Sequence, residues 1–265
     1  MLIVIDVDGT LLTSTNCLTQ GTRLAIRRVL ADGHELMLAS ARSPRSLAAT
    51  YRDLGVAGMA IAYSGALAVC ISEDWTWTCE VEHLIDPPVG RAIVGAARRL
   101  FVNVAWYRYD VAHVTQQDHW WREESRLSGD QFVDDPGLHS LSEHCHKLLC
   151  IGRMDRVCLL EERVCAPVQN CLAVRSKPNY LEVLPPGTDK GATLRLLSER
   201  MGYRREDVVA IGDGLNDIGM LSFAGNGVAM GNAHPKLLAA ADTVTATNDS
   251  DGVAAFLLTL VECRP

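Results

Sequence analysis

The sequence predicts an α/β protein built on a doubly wound parallel sheet. Three observations carry that expectation. The chain opens on a continuous apolar run, residues 2–5, with β-branched Ile3, Val4 and Ile5, as in a strand buried on both faces. Strand-like and helix-like stretches then alternate through residue 63. The alternation resumes at residue 189, after a long interval of different rhythm.

The first run ends in Asp6 and Asp8. Residues i and i+2 of an extended chain point the same way, so both carboxylates face one site at the carboxyl edge of the sheet. Gly9 and Thr10 follow, where the backbone turns and offers N–H groups to an anion. Two carboxylates ~4 Å apart repel by about 4 kcal/mol at an effective dielectric constant near ~20, and a cation or a shared proton relieves that. Taken alone, Asp-x-Asp-Gly is equally a strand end whose acids cap a turn.

Residues 19–30 alternate Leu24, Ile26, Val29 and Leu30 with Arg and Gln, a spacing that predicts an amphipathic helix, with Gly33 just past its end. A second strand, 35–39, delivers Ser40-Ala41-Arg42; a helix over 44–54 and a third strand over 59–63 lead to Ser64-Gly65-Ala66. The rhythm then changes. Residues 67–71 and 75–80 read as a hairpin, and 87–101 as a helix with proline at its start. Strands are predicted over 102–109 and 112–115, a loop over 129–142, a strand over 147–152, a helix over 156–164 and strands over 171–176 and 180–184. All five tryptophans lie between Trp75 and Trp121, a composition shift that marks an inserted module. After Pro185-Pro186-Gly187 come a helix over 189–201, with Lys190 in its first turn, and a strand over 207–211. That strand delivers Gly212-Asp213-Gly214-Leu215-Asn216-Asp217; a helix (218–224), strand (227–230), helix (235–241), strand (242–245) and helix (252–261) close the chain. The expected division is a core of residues 1–82 and 184–265 with an α/β insert over 83–183.

Composition narrows the function. The 265 residues, 48% hydrophobic, suffice for a large core. A net charge of −7 with no basic stretch disfavours nucleic acid as a partner. No apolar run approaches ~18–20 residues, so no membrane span is expected. No basic leader precedes the first strand, which makes the cytoplasm the default location. Nine cysteines, an odd number without a Cys-x-x-Cys pair, suit free thiols better than a disulfide framework. Oligomeric state is left open by the sequence.

Ligands of a parallel sheet bind beyond the carboxyl ends of its strands. Four such places carry suitable groups: Asp6 with Asp8, Ser40, Lys190, and Asp213 with Asn216 and Asp217. Each has a plain structural reading as a cap or an exposed first-turn residue. Together they supply acids, a hydroxyl, an amine and an amide, which suits an oxygen-liganded Mg²⁺ beside a phosphate.

Asp-Val-Asp-Gly-Thr, the later Ser40, the lysine of Thr-Asp-Lys-Gly and Gly-Asp-Gly-Leu-Asn-Asp resemble the four motifs of haloacid dehalogenase-superfamily phosphatases. Their order, the insertion between Ser40 and Lys190, and Leu181-Glu182-Val183 through Asp189-Lys190-Gly191 resemble the Cof-type branch with its α/β cap. The resemblance covers essentially the whole chain. Ser40-Ala41-Arg42 stands where that branch usually has Thr-Gly-Arg, and Ser64-Gly65-Ala66 where Asn-Gly-Ala is common. The resemblance implies Asp6 as the nucleophile that forms an aspartyl-phosphate, and Asp8 as general acid and base. It implies that Ser40 and Lys190 hold phosphoryl oxygens, with Asn216 and the backbone near Gly9. It implies Mg²⁺ on the Asp6 carboxylate, the Asp8 backbone carbonyl and Asp213, with Asp217 behind them or on Lys190. The implied partner is a small phosphorylated metabolite, a sugar phosphate first, with pyridoxal phosphate or a flavin precursor as alternatives. A phosphoryl-transferring mutase and a non-catalytic phospho-accepting or ligand-sensing protein are the rival readings; dehalogenase chemistry is disfavoured because it does not use the second acid.

Three weaker signals remain. His139, His144, Cys145, His146 and Cys150 lie close in sequence; zinc ligation is one reading, solvated histidines with buried thiols the simpler one. Trp120-Trp121 suits stacking on a ring, or packing inside the insert. Arg42 is a candidate for a substrate anion, or for a surface ion pair at a helix start.

Overall fold

The structure, a computed structural model, describes residues 1–140, 142–165 and 170–262. It separates into two compact units, one made of Met1–Ala41, Leu47–Glu80 and the chain from Asp189 onward, the other of Arg42–Ser46 and Val81–Thr188. The second unit thus ends later than residue 183, and it takes in the short piece around Arg42. Hydrogen bonds explain the latter: the Arg45 N–H donates to Asp110 Oδ1 at 2.8 Å and Ser46 Oγ to the Ser128 carbonyl at 2.5 Å.

The chain begins with β1 (Leu2–Asp6), α1 (Gln20–Ala31), β2 (Glu35–Ala39), α2 (Pro44–Leu54), β3 (Gly58–Ala62), β4 (Leu67–Ile71) and β5 (Trp77–Glu82). The second unit then adds α3 (Pro87–Arg99), β6 (Asn103–Arg108), β7 (Val111–Val114), α4 (His119–Ser128), β8 (Gln131–Asp134), β9 (Lys147–Ile151), α5 (Met154–Leu160), β10 (Leu172–Lys177) and β11 (Tyr180–Leu184). The return brings α6 (Lys190–Arg200), β12 (Val208–Gly212), α7 (Ile218–Phe223), β13 (Asn226–Ala229), α8 (Pro235–Leu238), β14 (Thr243–Val244) and α9 (Gly252–Glu262).

Among the described residues the first sheet has eight strands, in the order β14-β13-β12-β1-β2-β3-β4-β5. β1 lies between β12 and β2 and is parallel to both, with Ile5 opposite Ile211 and Asp6 opposite Ala39. β3, β13 and β14 continue the parallel arrangement outward, and β4 turns antiparallel on β3. Every residue of β1 and β12 is buried, as a parallel sheet covered on both faces requires. The strand order reverses its direction of growth at β1, so the loops after β1, β2 and β12 collect at one switch point.

The second sheet, among the described residues, has the order β10-β11-β9-β6-β7-β8, antiparallel except where β8 runs parallel to β7. One face packs Ile93, Val94, Trp106, Leu148 and Leu181 into an apolar cluster. β8 corrects the loop expected over 129–142, and α4 fills a stretch given no element from sequence. α4 hides only Trp121, so it has no apolar periodicity to detect; Asp118 starts it by accepting the N–H groups of Trp120 and Trp121. Leu141 of the expected loop lies outside the described residues.

The tryptophans do not mark one module. Trp75, at φ 67°, sits in the turn before β5, and Trp77 opens that strand, both in the first unit. Trp121 is a core residue of the second unit, stacked on Phe132 at 5.2 Å between ring centroids. Trp120 lies half-buried against His119. Cys17, Cys70, Cys79, Cys145, Cys150, Cys158 and Cys171 are not in disulfides, and Cys263 lies outside the described residues. No helix among the described residues is long and apolar enough to cross a membrane.

α6 and α7 meet at glycines. A Cβ on Gly191 would lie 2.3 Å from the carbonyl carbon of Gly219, and backbone cannot give way as a flexible side chain can. Overpacking of this kind destabilises by about 1–3 kcal/mol. Gly191→Ala should therefore lower the midpoint of chemical denaturation without changing its slope. A midpoint equal to that of the wild type would show that the two helices separate freely.

Candidate active site

The carboxyl ends of β1 and β12 and the first turn of α6 bring the charged residues together. Asp6 closes the buried strand β1 and is only 5% exposed. Asp189 caps α6 by accepting the N–H groups of Gly191 and Ala192 at 2.7 and 2.9 Å, which fixes Lys190 as the first helical residue. Thr193 ties the same helix to the turn after β3 through the Gly65 carbonyl, at 2.8 Å. Lys190, 1% exposed, sends its Nζ to Asp6 Oδ1 at 2.5 Å and to Asp217 Oδ1 at 2.6 Å.

Asp217 is saturated. Its Oδ1 takes the lysine, and its Oδ2 accepts the N–H groups of Asp213 and Gly214 at 3.0 and 2.8 Å. It therefore shapes the loop after β12 and aims the ammonium. Asp213 Oδ1 accepts Thr10 Oγ1 at 2.8 Å. Gly9, at φ 80°, is the only residue type that fits beside Asp213, since a Cβ there would lie 2.5 Å from Asp213 Oδ2.

Carboxylate oxygens of Asp6, Asp213 and Asp217 lie within 4.8 Å of one another. The donors are all oxygen, as Mg²⁺ prefers. With Asp217 occupied, Asp6 and Asp213 are the carboxylates left to ligate, and the groove that glycine keeps open beside Asp213 gives an ion room. The site fits the metal. The Asp8 side chain does not join this cluster; it is exposed in the turn that follows β1.

The other expected residues divide. Ser40 is buried directly after β2, its backbone held by the Ile61 carbonyl and by the Ser64 N–H at 2.8 and 2.9 Å. Asn216 is exposed in the turn between Asp213 and Asp217. Arg42 belongs to the second unit and donates to Ser46 Oγ at 3.3 Å. Ser64, at φ 53°, holds its turn through backbone bonds. The histidine–cysteine group does not assemble a metal cluster among the described residues: His144 reaches Asp86, while His146 is fully buried on Glu82 at 3.0 Å.

Sequence reasoning missed Asn232. Its Nδ2 donates to the Gly9 carbonyl at 2.9 Å and its Oδ1 accepts the Asn248 N–H at 2.9 Å, which braces the Asp6–Gly9 turn. The signal was present, because Asn232 follows β13 at the same edge of the sheet. Thr10 was read only for its backbone N–H; its hydroxyl, which holds Asp213, was not foreseen.

Electrostatics follow from burial. Burial pushes the Asp6 carboxyl well above the ordinary carboxylate range; the nearby Asp217 carboxylate adds to this and Lys190 opposes it. Burial likewise raises Asp213 to about 6, against the hydrogen bond from Thr10. Burial alone would lower Lys190, but Asp217 and Asp6 override it and keep the amine protonated. One ammonium thus faces three carboxylates, and the surplus negative charge is what a divalent cation offsets.

The Asp213 shift sets a pH dependence. Its folded pKa exceeds the unfolded one, so the folded state holds the proton more tightly between about pH 4 and about 6. Its contribution to stability is highest below the unfolded value and is lost as pH rises through about 6. In chelator, Asp213→Asn should therefore gain in melting temperature over wild type as pH rises from about 5 to about 7.5. A difference that does not change with pH would contradict the assignment.

Residues 3–257 match the sequence family of haloacid dehalogenase-like hydrolases. The chain is 28% identical over 260 residues to the 5-amino-6-(5-phospho-D-ribitylamino)uracil phosphatase YitU of Bacillus subtilis, covering 97% of this chain and 96% of that one. It is 29% identical over 243 residues to the HMP-PP phosphatase of Cronobacter sakazakii, covering 88% and 85%. Its fold superposes on a crystal structure of a haloacid dehalogenase-like hydrolase from Bacteroides thetaiotaomicron with a TM-score of 0.88 at 30% identity, over 98% of both chains.

Proposed function

The chain belongs to the haloacid dehalogenase-like hydrolases, and we propose that it is an Mg²⁺-dependent phosphatase of a small phosphorylated metabolite, working through an aspartyl-phosphate on Asp6. The observation that carries this is the buried Lys190 ammonium held between Asp6 and Asp217 beside an oxygen-only donor set. Relatives of matching length named as phosphatases support it.

Asp6 attacks phosphorus through a carboxylate oxygen. The bond from phosphorus to the leaving oxygen breaks, and Asp8 gives that oxygen its proton. Asp8, now a carboxylate, takes a proton from the water that attacks the aspartyl-phosphate, and Asp6 is released with inorganic phosphate. Asp6 and Asp213, with the Asp8 carbonyl, would hold Mg²⁺, whose positive charge would let an anionic nucleophile meet an anionic phosphate. Lys190 neutralises charge on the same side, and Asp217 keeps it aimed. Ser40, Asn216 and the backbone at Gly9 bind phosphoryl oxygens; Arg42 is assigned to the substrate. Residues 1–82 and 184–265 act as the catalytic core and 83–183 as a specificity cap. The first-choice substrate is a sugar phosphate, and the proposed location is the cytoplasm.

Turnover of nitrophenyl phosphate with Mg²⁺ tests the reading. Excess chelator should stop it, and Asp6→Asn should lower kcat by at least about 10³-fold in a protein that still melts cooperatively. Full activity in chelator, or near-wild-type rate in the variant, would overturn the mechanism.

Asp8→Asn separates the two acids. It should keep Mg²⁺ binding and lose about 10²–10⁴-fold in kcat on an alkyl phosphate, and less on an aryl phosphate, whose leaving group needs no proton. Equal losses on both, with the first step limiting each, would remove Asp8 as the acid.

A further inference from the structure

Two turns carry the groups assigned to the metal: residues 6–10 after β1 and residues 213–217 after β12. A short segment between β13 and α8, residues 230–234, is bonded to both. Its backbone serves the second turn. The Met230 N–H donates to the Gly212 carbonyl at 3.0 Å, and the His234 N–H donates to the Asp213 carbonyl at 2.9 Å. Its side-chain amide serves the first, where Asn232 Nδ2 donates to the Gly9 carbonyl at 2.9 Å. The amide is aimed from its other end: Asn232 Oδ1 accepts the Asn248 N–H at 2.9 Å, and Asn248 Nδ2 donates to the Leu12 carbonyl at 2.9 Å.

The Gly9 carbonyl is a consequential place to hold. Asp8 (φ −82°, ψ 118°) and Gly9 (φ 80°, ψ −2°) have the dihedrals of the central pair of a type II turn. A type I turn over the same residues would reverse the Asp8–Gly9 peptide, and with it the Asp8 carbonyl. Glycine by itself permits either form. Asn232 fixes the next peptide, Gly9–Thr10, and so anchors one end of the turn. That peptide also aims Thr10, whose Oγ1 donates to Asp213 Oδ1 at 2.8 Å. The Asp8 carbonyl and the Asp213 carboxylate thus depend on one anchored point.

We infer that Asn232 is a positioning residue that makes the site selective for Mg²⁺ over Ca²⁺, by holding the Asp8 carbonyl and the Asp213 carboxylate at one separation. This rests on the Mg²⁺-dependent phosphatase reading. Asn232 acts through Gly9 and Thr10 and ligates nothing itself. Mg²⁺ demands near-ideal octahedral geometry at short distances, whereas Ca²⁺ accepts longer bonds and variable geometry. A turn set free at Gly9 therefore penalises the smaller ion more. Outer partners that orient metal ligands are typically worth about 10–100-fold in affinity or activity.

Calorimetric titration of the full chain with Mg²⁺ alone, and separately with Ca²⁺ alone, tests the inference. Asn232→Leu removes the amide at similar size, and Asn232 is exposed, so core packing is left alone. The variant should raise the Mg²⁺ dissociation constant at least about tenfold and the Ca²⁺ constant by less than about threefold. Asn248→Ala keeps the Asn232 amide on Gly9 and should leave the Mg²⁺ constant within about threefold of wild type. A Mg²⁺ constant for folded Asn232→Leu within about threefold of wild type, or equal losses for the two ions, overturns the inference. If Asn232→Leu does not melt cooperatively, Asn232→Ser, too short to reach Gly9, is read in the same way. Failure of both to fold makes Asn232 a structural brace and equally overturns it. A wild type with neither Mg²⁺ binding nor Mg²⁺-dependent turnover of nitrophenyl phosphate would instead overturn the phosphatase reading itself.

Discussion

A single buried cation organises the catalytic edge of this protein. The Lys190 ammonium lies between the Asp6 and Asp217 carboxylates at 2.5 and 2.6 Å, essentially without solvent. Removing one partner from a buried pair typically destabilises by about 3–5 kcal/mol, because the other charge is left uncompensated. The fold meets that constraint by fixing all three partners independently. Asp6 is locked by a strand paired on both sides, Lys190 by a capped helix, and Asp217 by two backbone N–H groups. Three carboxylates around one ammonium leave a surplus of negative charge. A divalent cation would offset that charge, and burial holds the Asp213 carboxyl up at about 6.

The positions of small residues follow from the same crowding. Gly9 leaves the space beside Asp213, and Gly191 lets α6 approach α7 closely enough to hold Lys190 in line. Asn232 and Asn248 brace the turn after β1 from the far side of the sheet order, through the carbonyls of Gly9 and Leu12. The catalytic edge is accordingly made of short turns tied by side-chain amides and carboxylates.

Much of this was legible in the sequence. The buried runs of β1, β2 and β12 are strongly apolar, and the acids that close β1 and follow β12 announce the switch point. The helix α1 was legible from Ile26 and Val29, which tertiary packing buries, but Leu24 of the expected pattern is 56% exposed. α4 was not, because it contributes one buried residue and relies on the Asp118 cap. The trend from composition misled where Trp75 and Trp77 were concerned: they serve a turn and an edge of the first sheet. Asp217 was legible as a site residue, but its saturation by Lys190 and two N–H groups is a matter of geometry. Asn232 was missed although it follows β13 at the same sheet edge, because a lone amide carries no charge pattern to single it out.

The account turns on whether phosphorus is handed first to Asp6 and then to water. Stereochemistry reads that directly. With a substrate whose phosphoryl group is chiral through oxygen isotopes, and with isotopically labelled water, two successive in-line displacements give inorganic phosphate with retained configuration at phosphorus. Retention is the predicted result. Inversion would mean that water attacks the substrate in a single step, and Asp6 would then have no covalent role.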